Sequence, residues 1–161
     1  MQKITPFLWF NNNAEQAVNY YTSVFPDAKI KNVLRYPAGT PELAGTVLTI
    51  DFQLFGQNFV ALNGGPKFQF NEAFSFVVHC SSQQEVDYYW NKLSDGGEES
   101  RCGWLKDRFG LSWQVVPTRL LELLHDPAPE KSNNVMQAMM QMGKIDVKAI
   151  EDAYNNAIAK A

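Results

Sequence analysis

Apolar and polar positions follow the same order twice along the chain. Each copy begins with an extended run rich in β-branched and aromatic residues, Ile4 to Phe10 in the first and Phe74 to Cys80 in the second. A stretch with apolar residues at helical spacing follows in both copies. The apolar stripes of these stretches are Ala14, Ala17, Val18 and Tyr21, and Val86, Tyr89, Trp90 and Leu93. Each copy is therefore predicted to open with one strand and one helix.

Residues that typically cap or terminate helices lie at the ends of both predicted helices. Asn13 is expected to cap the first helix and Phe25-Pro26 to stop it, whereas Ser81 or Ser82 caps the second and Gly96-Gly97 ends it. Three strand-like segments follow each helix. They are Lys29 to Tyr36, Thr46 to Leu54 and Asn58 to Asn63 in the first copy, and Glu98 to Arg101, Gly103 to Lys106 and Leu111 to Val116 in the second.

Two direct matches support an internal repeat. Val18 to Tyr21 matches Val86 to Tyr89 at an offset of 68 residues, and Phe55 to Leu62 matches Phe109 to Val116 at an offset of 54. The first copy therefore carries 14 extra residues, which the Pro- and Gly-containing segment Tyr36 to Gly45 accounts for. The pattern predicts an α+β fold of two tandem β-α-β-β-β modules, with any active or binding site in the cleft between them.

After the second copy the pattern becomes helical. A short helix is predicted to end at His125-Asp126-Pro127, a second to be capped by Asn133 or Asn134, and a third to be capped near Asp146. We therefore predict a single domain over 1–161, with module one at 1–66, module two at 74–117 and a helical C-terminal tail at 118–161.

Charge and cysteine content narrow the class of partner. The 161 residues carry a net charge of -3, which lacks the basic patch that nucleic acid or an anionic membrane surface requires. Two cysteines, Cys80 and Cys102, are too few for a disulfide framework and suit reduced thiols in the cytoplasm. Met1 to Phe10 lacks the pattern of a secretion signal. We expect a cytoplasmic protein that binds neither nucleic acid nor membrane.

Three motifs carry a family resemblance. They are Leu62-Asn63-Gly64-Gly65-Pro66-x-Phe68-x-Phe70, Glu85-Val86-Asp87-x-x-Trp90, and Cys102-Gly103-Trp104-Leu105-Lys106-Asp107-x-Phe109-Gly110-x-Ser112-Trp113-Gln114-x-x-Pro117. They resemble the PhnB-like family, often labelled "3-demethylubiquinone-9 3-methyltransferase", within the glyoxalase/bleomycin resistance/dioxygenase (vicinal oxygen chelate) superfamily. The resemblance implies the paired-module fold and a homodimer.

The same resemblance implies where a divalent metal would be held. The superfamily takes its ligands from the first and fourth strands of each module, which here fall at Pro6 or Phe7, Val60, Phe74 or Ser75, and Gln114. Only Gln114 is a credible ligand, with Ser75 a poor second, and divalent ions need several His or carboxylate donors. A bound metal is therefore disfavoured, and no catalytic residue is assigned.

The best-supported function is binding of an apolar or aromatic small molecule. The predicted cleft residues are Leu8, Phe10, Val60, Ser75, Trp104 and Gln114. Gln114 could instead satisfy groups inside the fold, and Trp104 could equally belong to the core, whereas Trp113 is expected in the core. The alternatives are a metal-dependent lyase, isomerase or dioxygenase, and a methyltransferase as the family label states.

Two further groups of polar residues, Cys102 with His79 and the run Lys106 to Arg108, are less favoured as functional sites. Cys102 is a candidate nucleophile with His79 as its base, although a small buried thiol is the commoner case. The run Lys106, Asp107 and Arg108 is interpreted as a solvated charged turn.

Overall fold

The computed structural model describes residues 2–159, and side chains up to residue 156. Met1 and residues 160–161, which the predicted domain includes, lie outside the described residues. The chain divides into two compact units, one ending at Phe70 and one beginning at Asn71. The tail belongs to the second unit.

The first unit is a four-stranded sheet with one helix. Its elements are β1 (Phe7–Phe10), α1 (Ala14–Val24), β2 (Ala28–Arg35), β3 (Val47–Leu54) and β4 (Gln57–Asn63). The strand order is β1-β4-β3-β2, with β1 parallel to β4 and the other pairs antiparallel. The predicted β-α-β-β-β order of the first module is therefore confirmed, although its first strand begins at Phe7 and not at Ile4.

Helix α1 packs its apolar stripe on one face of this sheet. The Tyr21 ring stacks on Phe52 with 6.4 Å between ring centroids, and Ala17, Val18 and Tyr21 are fully buried. Asn13 occupies the predicted cap position, but its side chain makes no capping bond. The side chain of Asn63 at the end of β4 supplies the cap, because its Oδ1 accepts from the Ala14 amide at 3.0 Å.

The second unit repeats this arrangement in shorter strands. Its elements are β5 (Ser75–Cys80), α2 (Gln83–Ser94), β6 (Glu98–Glu99), β7 (Trp104–Lys106) and β8 (Ser112–Pro117). The strand order is β5-β8-β7-β6, and β5 runs parallel to β8. Ser82 caps α2 by accepting from the Glu85 amide, and Glu85 accepts in return from the amide of Ser81.

The face of the second sheet that α2 covers can be traced through strand pairing. Trp90 on α2 donates its indole N–H to Glu99 at 2.9 Å. Glu99 pairs with Leu105, which pairs with Trp113, and paired residues share a face. Trp113 is buried on this side, so its predicted core position is confirmed. We call the opposite side of this sheet the distal face; it carries Ser75, Val77, Trp104, Lys106, Ser112 and Gln114.

Three helices form the tail, α3 (Thr118–Leu124), α4 (Pro129–Met140) and α5 (Val147–Ala159). They share a buried cluster with the end of β8, formed by Val116, Leu120, Leu123, Val135, Ile145 and Ile150. Asp146 caps α5 as predicted, through Ala149 N to Asp146 Oδ1 at 3.0 Å. The prediction that Asn133 or Asn134 caps the middle helix is wrong, because α4 already begins at Pro129. A proline fits the first turn of a helix. Within 2–159, no helix has both the length and the apolarity that crossing a bilayer demands.

The turn between β7 and β8 is built around a buried carboxylate. Asp107 is 3% exposed and accepts from the Phe109 amide at 2.8 Å, the Leu111 amide at 3.2 Å and the Trp113 indole at 2.8 Å. The interpretation of this turn as merely solvated is therefore wrong for Asp107. Arg108 beside it is exposed and pairs with Asp95 at 3.0 Å.

Candidate functional site

Strand pairing brings three of the predicted site residues together on the distal face. Trp104 and Val77 flank Gln114 on its two neighbouring strands. The Gln114 amide donates from Nε2 to Ser75 Oγ at 3.0 Å. Because parallel strands place side chains two residues apart on one face, Ser75 can reach Gln114 although its direct partner is Ser112. Trp104, Ser75 and Gln114 therefore form one continuous surface.

A pocket of about 500 Å³ opens next to this surface, at the β6 edge of the second sheet. Its lining comprises Glu72, Glu98, Glu99, Ser100, Arg101, Cys102, Trp104, Leu105, Lys106 and Ser112. Pockets of 300 to 1,000 Å³ typically hold drug-sized ligands, so the space is large enough for one or two rings. Gln114 and Ser75 adjoin the pocket and do not line it.

Ser112 is the most informative polar group of this pocket. The residue is 1% exposed, and its hydroxyl oxygen has no hydrogen-bond partner among the described residues. A buried hydroxyl without a partner costs about 1 to 3 kcal/mol, so such groups are usually satisfied by water or a ligand. Ser112 is therefore the lining residue whose hydroxyl still has a hydrogen bond to make.

One ion pair joins two of the charged side chains that line the pocket. Lys106 forms an ion pair with Glu72. Hydrogen bonding to Lys106 lowers the pKa of the Glu72 carboxyl, and the same bond raises the pKa of Lys106. Glu98 lies opposite Lys106 on β6 and adds to the attraction. The ammonium group is thus already neutralised, which disfavours a strongly anionic ligand.

The two cysteines occupy different environments. Cys80 is fully buried, and desolvation together with the charge of Glu85 raises the pKa of its thiol to about 12. Cys102 is half-buried in the pocket lining, with a φ of 58° that is unusual for a residue other than glycine. Since only a thiolate is an effective nucleophile, Cys102 and not Cys80 is the thiol that can react in the folded chain. His79 lies opposite Val116 on the exposed part of β5.

The predicted residues of the first unit divide between two faces of its sheet. Leu8 pairs with Ala61, which pairs with Ile50 on the α1 side, and Phe10 shares that side by alternation. Leu8 and Phe10 are 3% and 2% exposed. This corrects the expectation that both line a ligand surface: the first strand turns these side chains towards α1, where they form core. Val60 lies on the other face.

A smaller pocket of about 350 Å³ marks that other face of the first sheet. It is lined by Thr5, Lys31, Asp51, Asn58, Phe59 and Val60. Asp51 pairs with Val60 across β3 and β4, just as Trp104 pairs with Gln114 in the second unit. The repeat therefore places a pocket on the corresponding face of both units, but the chemical character differs, because Asp51 and Val60 stand where Trp104 and Gln114 do.

Register also shows what the superfamily's metal positions contain. Phe7 lies opposite Val60, and Val77 lies opposite Gln114, so the first strands correspond at an offset of 70 residues. The sequence prediction of 68 for these strands is wrong. The link from β1 to α1 is one residue longer than the link from β5 to α2, and Val18 lies one position further into its helix than Val86 does.

The donor set at these positions does not fit a divalent metal. Phe7, Val60 and Val77 have no ligating atom, which leaves the side-chain oxygen of Gln114 as a single donor. Among the described residues, no three His, Cys, Asp or Glu side chains are grouped so that they could hold an ion. We therefore derive no step through a metal.

Sequence reasoning missed Ser112, Lys106 and Glu72 as lining residues. Alternation along β8 was a sufficient signal for Ser112, because it puts Ser112 on the same face as Gln114. Nothing in the sequence pattern indicated Glu72, which reaches the pocket through its ion pair with Lys106.

The chain contains two β-α-β-β-β modules, and in each module the first strand runs parallel to the fourth. This arrangement is the glyoxalase/bleomycin resistance fold of the vicinal oxygen chelate superfamily. The family described as 3-demethylubiquinone-9 3-methyltransferase matches residues 2–116. The chain belongs to this family.

Solved structures agree with this assignment. The PhnB protein from Bacillus cereus is 36% identical, with a TM-score of 0.66, over 72% of this chain and 99% of that one. A protein from Pseudomonas aeruginosa is 21% identical, with a TM-score of 0.60, over 73% and 98%. The fosfomycin resistance protein FosX from Listeria monocytogenes is 15% identical, with a TM-score of 0.56, over 75% and 94%. The last two show the fold alone. No curated protein matches the sequence.

The family description names a methyl transfer, and the fold provides little for the usual cofactor of that reaction. A Rossmann-type methyl-donor site needs a parallel sheet and a glycine-rich turn between its first strand and helix. Here each described sheet has one parallel pair, and the link from β1 to α1 is Asn11-Asn12-Asn13. The described sheets therefore do not form a Rossmann-type methyl-donor site.

Proposed function

We propose that the chain binds a small, largely apolar aromatic molecule in the pocket that Trp104 and Ser112 help to form at the β6 edge of the second sheet. The observation that carries this proposal is the buried, unpartnered hydroxyl of Ser112 in the lining of a pocket of about 500 Å³. The Trp104 ring supplies an aromatic surface, and Ser112 supplies one hydrogen bond. The proposed ligand is therefore uncharged, with a ring and a hydroxyl or carbonyl oxygen.

Catalysis is not part of this proposal. The Gln114 amide and the Ser75 hydroxyl are bonded to each other and could orient a polar group of the ligand beside the pocket. A general base or nucleophile within reach of such a ligand is not supplied by this pair. Binding is thus what the arrangement supports.

The matched probes 2-naphthol and naphthalene test the proposal, because they differ by one hydroxyl. Fluorescence or ligand-observed NMR titration is expected to show preference for 2-naphthol, and Ser112→Ala to reduce that preference about fivefold through the lost hydrogen bond. Trp104→Ala should weaken both probes about tenfold or more. Phe68→Ala removes an aromatic ring of the first unit that is 55% exposed and should change neither affinity. Equal binding of 2-naphthol to wild type and Trp104→Ala would refute this pocket.

We also infer a homodimer in the cytoplasm. The family resemblance supports the dimer, and the two cysteines, both free in the described structure, suit a reducing compartment. Light scattering on purified protein measures the assembly directly.

A further inference from the structure

The segment of the tail between α4 and α5 is bonded to the loop that forms the pocket wall. The Cys102 amide donates to Met142 O at 2.8 Å, and the Gly103 amide donates to Gly143 O at 2.8 Å. Cys102 lines the pocket and Trp104 follows directly after Gly103. Two consecutive amides of the wall thus depend on two consecutive carbonyls of the tail.

Packing reinforces these bonds. Ile145 is fully buried, and its Cγ1 lies 3.3 Å from the point where a Cβ on Gly103 would stand. Gly103 has a φ of 82°, and Cys102 before it has a φ of 58°. Left-handed backbone at a residue other than glycine costs about 1 kcal/mol or more and persists only where surrounding contacts hold it. The tail supplies those contacts to Cys102.

One side chain of the second module fastens this tail segment. Gln83, at the start of α2, donates to Ile145 O at 3.1 Å and accepts from the Val147 amide at 2.7 Å. Asp87, one turn later, accepts from Gln83 at 3.0 Å and pairs with Lys144 at 2.9 Å. The hydrogen bond from Gln83, and then that from Lys144, lowers the pKa of Asp87, so the carboxylate is charged at neutral pH. The segment is therefore tied to α2 at Lys144, Ile145 and Val147.

We propose that the tail is a positioning element of the pocket, in which Gln83 holds the segment Met142–Val147 so that its carbonyls fix the backbone of Cys102 and Gly103. The family match ends at residue 116, and the Bacillus cereus relative is matched almost completely by 72% of this chain. The segment lies C-terminal to the residues that the family model matches. That this positioning matters for ligand binding rests on the proposed function. The positioning of the Cys102 and Gly103 backbone by the tail does not depend on a ligand.

Gln83→Ala tests the device in the full chain without any ligand. Loss of both bonds is expected to raise the amide hydrogen exchange of Cys102 and Gly103 about tenfold, while exchange of Val60 in the first unit stays unchanged. Gln84→Ala is the matched control, because Gln84 is the exposed neighbour on the same helix. Unchanged exchange at Cys102 and Gly103 in Gln83→Ala would overturn the proposal.

Thiol modification gives an independent measurement. Because Cys80 is buried with a raised pKa, a small disulfide reagent at pH 8 reports on Cys102. Gln83→Ala should increase the rate of this modification severalfold and Gln84→Ala should not; equal rates would count against the device. If 2-naphthol does not bind the wild-type protein, the proposed function is wrong. The amide exchange of Cys102 and Gly103 and the modification rate of the Cys102 thiol still test whether the tail positions this backbone.

Discussion

Replacing Asp107 with Asn is expected to lower the free energy of unfolding by about 3 kcal/mol, because hydrogen bonds to a buried charged acceptor are among the costlier ones to break. The carboxylate of Asp107 accepts two amides of its own turn and the indole N–H of Trp113. Asparagine has one acceptor oxygen in place of two and turns an NH2 group towards a donor. One buried N–H then loses its partner.

Asp95→Asn is the matched control for this substitution. Asp95 pairs with Arg108 at 3.0 Å, but its side chain is 76% exposed. Exposed ion pairs contribute about 0 to 1 kcal/mol, so the control should remain close to wild type in urea unfolding. If Asp107→Asn and Asp95→Asn unfold at the same urea concentration, the role assigned to the buried carboxylate is wrong.

Gly97→Ala is expected to destabilise the protein by about 2 to 3 kcal/mol through steric overlap. A Cβ on Gly97 would overlap the Lys106 carbonyl oxygen and stand 2.8 Å from the carbonyl carbon of Asp107. Both obstacles are backbone atoms of β7 and its turn, which cannot rotate away as a side chain can. The strain should therefore fall on the β6–β7 pairing that forms the edge of the pocket.

Gly39→Ala controls for the general effect of removing a glycine. A Cβ on Gly39 meets nothing within 4 Å, so this substitution should leave stability within about 0.5 kcal/mol of wild type. Thermal unfolding of the two variants side by side provides the comparison. A Gly97→Ala variant as stable as Gly39→Ala would show that β6 and β7 are less closely apposed than described.

The architecture was largely predictable because its signals are local. Hydrophobic spacing identified both sheet-covering helices, and the Gly- and Asp-containing turns identified the strands. Alternation along β8 correctly separated Trp113 from Gln114. Errors arose where a distant residue replaced a local one, as when Asn63, and not Asn13, capped α1.

The site was less predictable, since it depends on register and on distant contacts. The offset between the two copies is 70 residues at their first strands and 68 at the matched helix residues, and no sequence match revealed this change. Leu8 and Phe10 were assigned to a ligand surface because the sequence of a short strand does not show which of its two faces the helix covers. The tail contacts Cys102 and Gly103 through backbone carbonyls. Every residue has a backbone carbonyl, so the residue types do not predict these contacts.

Chemical-shift mapping of the labelled full chain with 2-naphthol decides whether the pocket of Trp104 and Ser112 is a ligand site. The largest shifts are expected at the Trp104 indole N–H and at the Ser112 amide. Saturable shifts centred on Asp51 and Val60 of the first unit, or no saturable shift at all, would contradict it.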